Sequence, residues 1–184
     1  MKRRASLSDE ELAHACLRIG EKLHSAIDFA DISFLHHFNS INKEVDTSVI
    51  LSGVLSDYPL IKRVAPRVNK LKNQLEHLLI NDASVLIKSE WGIPEPSGTE
   101  LIAEKLMDIV IVPLFCFDRH GQRVGYGGGF YDRFLAKCRA DCLKIGVSHF
   151  GPIDEIEDLH DGDVQLDYCI TPDKVYDFKA SREH

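Results

Sequence analysis

The 184-residue chain lacks several things at once. Its five cysteines (Cys16, Cys116, Cys138, Cys142, Cys169) are odd in number and include no Cys-x-x-Cys pair. That argues against a disulfide framework or a repeated zinc spacing and favours reduced thiols in a cytoplasmic protein. Cys138 and Cys142 stand one helical turn apart, but no partner motif completes a metal set. No apolar run approaches the roughly 20 residues of a membrane span. The basic start Met1-Lys2-Arg3-Arg4 leads into Ser6-Leu7-Ser8-Asp9-Glu10-Glu11 rather than an apolar stretch, so it does not read as a secretory signal. Positive charge is also in deficit. A net charge of −7 argues against nucleic acid as the main partner. There is no internal repeat, no serine in a nucleophile elbow, no evident Cys/His pair, and no glycine loop that ends in Gly-Lys-Ser/Thr.

What is present is ordinary in bulk, at 44% hydrophobic and 28% charged residues, with length enough for one domain with a real core. Ser8 and Glu11 form a capping-box signature, and Leu12, Ala15, Cys16, Ile19 and Leu23 then repeat at helical spacing to about His24. Asp46-Thr47 opens a second helix to about Leu55. Asp31 to His36, Leu60 to Ala65, Asp108 to Val112, Leu143 to Ser148 and Tyr168 to Thr171 read as strands, with Leu75 to Leu79 and Ala83 to Lys88 as shorter ones. The strand over Leu60 to Ala65 is expected to end at Pro66-Arg67. The segment Trp91 to Gly98 is expected to be irregular, because its prolines and glycines break both kinds of ladder. Helices alternating with apolar strands predict an α/β fold, a three-layer α/β/α arrangement around a Rossmann-like, mainly parallel sheet.

The densest signal is Gly121-Gln122-Arg123-Val124-Gly125-Tyr126-Gly127-Gly128-Gly129-Phe130-Tyr131-Asp132-Arg133, which follows the apolar run Asp108 to Val112. Glycines permit positive φ and close approach of a ligand. The helix expected over Gly129 to Arg139 would add unpaired N–H groups and a positive dipole end, together an anion cradle. Arg119, His120, Arg123, Arg133, Lys137 and Arg139 crowd this stretch, so an acidic protein carries one basic loop suited to a small anion. Asp132 reads equally as a magnesium ligand and as a dipole partner. Arg123 alone could be a solvated loop residue, Glu44 a surface carboxylate and Trp91 a half-buried anchor. His36, His37, His149 and His160 have no partner spacing and read as structural. Phosphate electrostatics and positioning are favoured over a covalent nucleophile.

The glycine stretch closely resembles the signature of the 5-formyltetrahydrofolate cyclo-ligase family. Glu44-Val45-Asp46-Thr47, Ala65-Pro66-Arg67-Val68, Trp91-Gly92-Ile93-Pro94-Glu95-Pro96, Asp108 to Pro113 and Asp163-Val164-Gln165-Leu166-Asp167 match further family segments in order, over roughly residues 31 to 175. The resemblance implies conversion of 5-formyltetrahydrofolate, with or without a polyglutamate tail, to 5,10-methenyltetrahydrofolate at the expense of ATP and with Mg2+. The formyl oxygen would attack the γ-phosphate, ring closure would follow, and ADP and phosphate would leave. It implies that Arg123, Val124, Gly125, Tyr126, Gly127, Gly128, Gly129, Phe130 and Tyr131 line the ATP, with Arg123 and Tyr131 catalytic. Tyr126 through Phe130, Glu44 and Trp91 would touch the folate, and Asp132 and Asp163 the metal. The protein would be a monomer or weak homodimer, a single domain over 1–184. The family's opening Lys-x-x-x-Arg helix has no clear counterpart; Lys2, Arg3 or Arg4 could take its place, and a shortened start or a weakened ATP site are the alternatives. Phe130 replaces a common tyrosine, and Gly162 a histidine that often precedes the aspartate at Asp163. A folate-binding paralogue with a weakened ATP site, and a sugar-phosphate-binding protein of related fold, are the competing readings.

Overall fold

The computed structural model describes residues 2–180. Its helices are α1 (Lys2–Ala5), α2 (Asp9–Ala26), α3 (Thr47–Asp57) and α4 (Phe130–Leu135). Its strands are β1 (Phe34–His36), β2 (Lys62–Asn69), β3 (Gln74–Ile80), β4 (Leu86–Lys88), β5 (Pro94–Pro96), β6 (Ile109–Val112), β7 (Cys116–Phe117), β8 (Arg123–Val124), β9 (Leu143–Val147), β10 (Tyr168–Ile170) and β11 (Val175–Asp177). The main sheet has seven strands in the order β11-β10-β9-β6-β1-β2-β3. The five inner strands are parallel, and β3 and β11 close the edges antiparallel. This is the mainly parallel α/β sheet that the sequence predicts.

Two helices begin where their caps place them. The Ser8 hydroxyl accepts the Glu11 N–H at 3.2 Å while the Glu11 carboxylate accepts the Ser8 N–H at 2.7 Å, a reciprocal box that satisfies two orphan donors. Asp46 caps α3 by accepting the Ser48 N–H at 2.9 Å. Both helices lie on one face, packing Ile19, Leu23, Ile50 and Leu51 against Leu35, Ile109, Ile111 and Ile145. Alternate residues of β6, Val110 and Val112, face the other way, toward Phe117, Phe134 and Leu135. All four residues of β6 are buried, as expected of a strand covered on both sides. Each such side chain contributes about 1.5–3 kcal/mol on leaving water.

Three segments depart from expectation. β2 runs through Pro66 to Asn69 instead of ending there. The Lys62 N–H bonds the Ser33 carbonyl and the Val64 carbonyl accepts the His37 N–H, so even-numbered residues of β2 face β1. Pro66 shares that side, but β1 ends at His36, so no ladder donor is lost. Likewise Pro94–Pro96 is a strand, not irregular, and pairs with β4. The bonds Ser89 N–H to Ile93 carbonyl and Ser97 N–H to Val85 carbonyl put both prolines where the backbone points away from β4. Their carbonyls are taken instead by Asn39 at 2.6 Å and Arg67 at 3.5 Å. Finally, α4 stops at Leu135, because the chain tightens into turns in which Lys137 and Cys138 bond carbonyls three residues back.

Candidate active site

The sheet has one point where the chain reverses direction of travel. From β1 the next strand, β2, is added on one side, whereas β6, β9 and β10 are added on the other. The crevice beyond the C-terminal ends of β1 and β6 is therefore the topological switch point, the usual ligand position in an open α/β sheet. The segment after β1 carries Glu44. The segment after β6 carries Leu114 and Phe115, then the β7–β8 hairpin, the glycine loop and α4.

Glu44 is held by a tight turn. Asn42 and Lys43 both adopt positive φ, 49° and 60°, a cost accepted where a side chain must be aimed. The Glu44 carboxylate accepts the Ile41 N–H at 2.9 Å, and its other oxygen accepts the Tyr126 hydroxyl, 82 residues on. Burial pushes the Glu44 carboxyl up, offset in part by the Tyr126 and Ile41 hydrogen bonds and the Arg4 charge. Burial, then the Glu44 hydrogen bond and charge, raise the Tyr126 phenol to about 12. The Tyr126 ring packs on Phe115 at 4.2 Å between centroids. Arg4, at the end of α1, lies over Phe115 at 5.6 Å and donates to the Leu114 carbonyl at 3.0 Å. Lys43 ties this N-terminal segment down through the Ala5 and Leu7 carbonyls. The side chains of Lys2 and Arg3 lie outside the described residues.

Around Tyr126 the loop backbone is open. A Cβ at Gly127, where φ is 82°, would meet nothing within 4 Å, whereas one at Gly129, where φ is 61°, would lie 2.8 Å from the Arg133 guanidinium. Below the loop, the Arg123 guanidinium bonds the Asp132 carboxylate at 2.7 Å and also donates to the Val164 carbonyl. The same Asp132 oxygen accepts the Val164 N–H at 3.3 Å, one residue after Asp163. Asp163 caps its own turn through the His160 N–H at 2.9 Å. Arg123 is only 5% exposed in its side chain and Asp132 27%, so the pair braces the loop from beneath. Among the described residues, no three His, Cys, Asp or Glu side chains form a metal-holding group. Asp132 and Asp163 suit a hard cation that arrives with phosphate oxygens, as magnesium commonly does, and not a dedicated protein cage.

Several sequence expectations shift. The basic crowd is largely neutralised: Arg119 pairs with Asp154, Lys137 with Glu104, and Arg139 with Asp108 and Asp141. Arg133 stacks over Phe130 at 5.0 Å and donates to the Asn73 carbonyl. A six-residue α4 contributes less dipole than the helix expected to Arg139, so any anion would rest mainly on loop backbone. The Tyr131 hydroxyl is buried and makes no hydrogen bond among the described residues; its ring lies against His36 and Phe134, while the Glu44 and Arg123 charges act on the phenol. Trp91 is 54% exposed in the turn between β4 and β5, under the Lys70 ammonium at 5.1 Å. Next to it an open groove of about 480 Å³ passes between Lys70 and Lys88. Sequence reasoning missed Asp118, which is 1% exposed and shapes the β7–β8 turn by accepting the His120, Gln122 and Ile156 N–H groups. An aspartate three residues before Gly121 was its available signal.

Fold and site together define an α/β protein with a glycine cradle at the switch point of its sheet and a buried-leaning carboxylate facing it. The chain belongs to the 5-formyltetrahydrofolate cyclo-ligase family, whose sequence pattern matches residues 1–172. It is similar to the 5-formyltetrahydrofolate cyclo-ligase of Mus musculus, 26% identical over 140 residues that cover 72% of this chain and 68% of the relative. It is 33% identical over 98 residues to that of Escherichia coli K12, covering 52% and 54%. The match to the Escherichia coli relative thus spans about half of that protein's length. Among solved structures, the NMR structure of Aquifex aeolicus 5,10-methenyltetrahydrofolate synthetase superposes with a TM-score of 0.80 at 25% identity, over 97% of this chain and 88% of that one. The synthetase from Mycoplasma pneumoniae, at 23% identity and a TM-score of 0.73, shares the fold.

Proposed function

We propose that this protein converts 5-formyltetrahydrofolate to 5,10-methenyltetrahydrofolate, consuming ATP and releasing ADP and phosphate, with Mg2+ as the accompanying cation. The observation that carries the reading is the contact of Glu44 with Tyr126, which puts a carboxylate handle and a glycine cradle in one crevice. Glu44 is suited to pair with the N–H donors of a pterin ring, a charge-assisted contact. The loop Gly125 to Gly129 is open above its backbone and takes the triphosphate. Arg123 sets the loop from beneath, and Asp132 and Asp163 are the carboxylates that would meet a phosphate-bound cation. In-line geometry of two substrates is then the main catalytic contribution, since phosphoryl transfer asks for positioning and charge stabilisation, not a protein nucleophile. The formyl oxygen displaces ADP from the γ-phosphorus, the nitrogen at the 10-position closes on the activated carbon, and phosphate departs.

The test is the appearance of methenyltetrahydrofolate absorbance with purified protein, ATP and Mg2+. Turnover that needs all three is expected. Folate binding by calorimetry, with neither turnover nor nucleotide binding, would instead support a folate-binding paralogue with a weakened ATP site.

A further inference from the structure

The N-terminal segment closes a circuit of contacts around Glu44. The carbonyl end of α1 is tied down from outside, because the Lys43 ammonium donates to the Ala5 carbonyl at 3.3 Å and to the Leu7 carbonyl at 2.6 Å. From that fixed start the Arg4 guanidinium donates to the Leu114 carbonyl at 3.0 Å, 110 residues along the chain. It also lies over the Phe115 ring at 5.6 Å, within cation–π range. Phe115 is held in turn, its N–H bonding the Val124 carbonyl at 2.8 Å. Its ring packs on Tyr126 at 4.2 Å, and the Tyr126 hydroxyl donates to Glu44, the neighbour of Lys43. The chain start, the turn after β1, the exit of β6 and the glycine loop are thereby joined in one ring.

Arg4 differs from most basic residues of this region. Arg119, Arg123, Lys137 and Arg139 are each paired with a carboxylate. Half-buried Arg4 makes no ion pair of its own among the described residues. Burial pushes the Glu44 carboxyl up, and the Arg4 charge opposes it after the Tyr126 and Ile41 hydrogen bonds. The Tyr126 hydroxyl and the N–H donors of a pterin compete for that carboxylate. Arg4 does not, because its donor goes to Leu114. Its charge therefore stays near Glu44 without taking up the oxygens that the substrate needs.

We infer that Arg4 is a positioning residue for the folate half of the reaction: it braces the Phe115–Tyr126 pair against Glu44 and supplies positive charge near the carboxylate that receives the pterin. The inference rests on the folate reading of the crevice, and it assigns Arg4 to the folate and not to the triphosphate. Other groups share this neighbourhood. Lys43 stands next to Glu44 in the chain, and Tyr126 reaches it from the glycine loop. Burial and then the Glu44 charge raise the Tyr131 phenol of α4. His149, beyond β9, is held below its ordinary value by burial, with the Glu44 backbone opposing and the Arg4 charge adding. Removing Arg4 therefore raises both the Glu44 carboxyl and the His149 ring, and a double-mutant cycle that includes Glu44 separates the two.

Calorimetry of the full chain with 5-formyltetrahydrofolate, and separately with ATP and Mg2+, is the test. Arg4→Gln should weaken folate binding roughly 5-fold, within the range for coupled neighbours, and leave ATP binding unchanged. Arg4→Lys keeps the charge and loses the planar fork, so it should recover most of that loss. In a Glu44→Gln background Arg4→Gln should cost little, because the carboxylate it serves has lost its charge; an equal loss in both backgrounds overturns the inference. Titrations from about pH 7.5 down to about pH 5.5 add a readout that general damage would not move. Without Arg4 the Glu44 carboxyl keeps its proton to higher pH, so affinity should begin to fall nearer neutrality. That displacement should vanish in the Glu44→Gln background; if it persists there it belongs to His149, and the inference fails. A loss confined to ATP places Arg4 at the nucleotide and overturns it as well. Wild-type protein that binds no folate overturns the reading of the crevice and the inference with it, whereas folate binding that Arg4→Gln leaves intact overturns the inference alone.

Discussion

At the scale of single residues, the Glu44–Tyr126 contact carries the sharpest consequences. The phenol occupies the carboxylate that the pterin is expected to engage, so substrate and Tyr126 compete for one acceptor. Tyr126→Phe removes the competitor while keeping the ring on Phe115. A net hydrogen bond is worth about 0.5–1.5 kcal/mol. The KM for 5-formyltetrahydrofolate should therefore fall roughly 2- to 10-fold, with little change in thermal stability; a raised KM would show instead that the hydroxyl holds the substrate. Glu44→Gln removes the charge and should raise that KM by about 10-fold or more, consistent with hydrogen bonds to charged groups of about 1.5–3 kcal/mol. The KM for ATP should stay nearly constant in this variant, which steady-state kinetics with each substrate varied would check. Gly129 faces a different constraint. Its φ of 61° is left-handed, and an added methyl would meet the Arg133 guanidinium at 2.8 Å. Gly129→Ala should cost about 1–2 kcal/mol in urea denaturation from the backbone term alone, and it should weaken ATP more than folate.

At the scale of elements, the caps, the buried strand β6 and the glycine loop were legible because each is written in neighbouring residues. Ser8 and Glu11, Asp46 and Ser48, and the run Ile109 to Val112 need no distant partner to be recognised. What was not legible depends on who stands beside whom. Pro66 and Pro94 are tolerated in strands only because one faces the vacated end of β1 and the other turns away from β4. The acids that neutralise Arg119, Lys137 and Arg139 come partly from remote segments, so the basic loop of the sequence is largely quiet in the fold. The approach of Glu44 to Tyr126 follows from strand order alone. Asp108 shows the same logic at the foot of β6. It accepts the Ser33 and Phe34 N–H groups at 2.7 Å each and pairs with Arg139, joining the entry of β1 to the turn after α4. Burial opposes its charge, but Arg139 and the two N–H groups outweigh that and hold the carboxyl below its ordinary value. This stabilisation is present above the unfolded value near 4 and is lost as pH falls through the lower folded value. Asp108→Ala leaves those donors unpaired, and a loss of about 2–3 kcal/mol is expected in chemical denaturation at neutral pH, with an unchanged m-value.

At the scale of the whole molecule, the two faces of the sheet are not equally dry. The face under α2 and α3 is mainly aliphatic and aromatic and also holds the buried His37–Thr47 pair, 3.2 Å apart. The opposite face holds a histidine cluster beneath α4, with His36 and His77 5.1 Å apart between centroids and Phe134 3.9 Å from His77. Both nitrogens of His36 and one of His77 are buried without a hydrogen-bond partner. Burial holds His77 down at about 4, with Glu104 and Lys137 acting in opposite directions on it, and likewise holds His37 at about 4 against its Phe38 carbonyl contact and beside Arg63. His36 is also held well below its ordinary value, by burial first and then by the charges of its neighbours His77 and His37. An unfolded histidine takes a proton near pH 6.5, whereas these stay neutral in the fold until about pH 4, so between those values the unfolded state binds more protons. Stability should be fully present above about pH 6.5 and fall as pH drops toward 4, by roughly 3 kcal/mol for each of His37 and His77. Urea titrations from pH 7 to pH 4 measure the slope directly. His77→Phe retains a ring against Phe134 and removes one titrating group, so its curve should be flatter by about one proton; an unaltered slope would place the acid sensitivity outside this cluster.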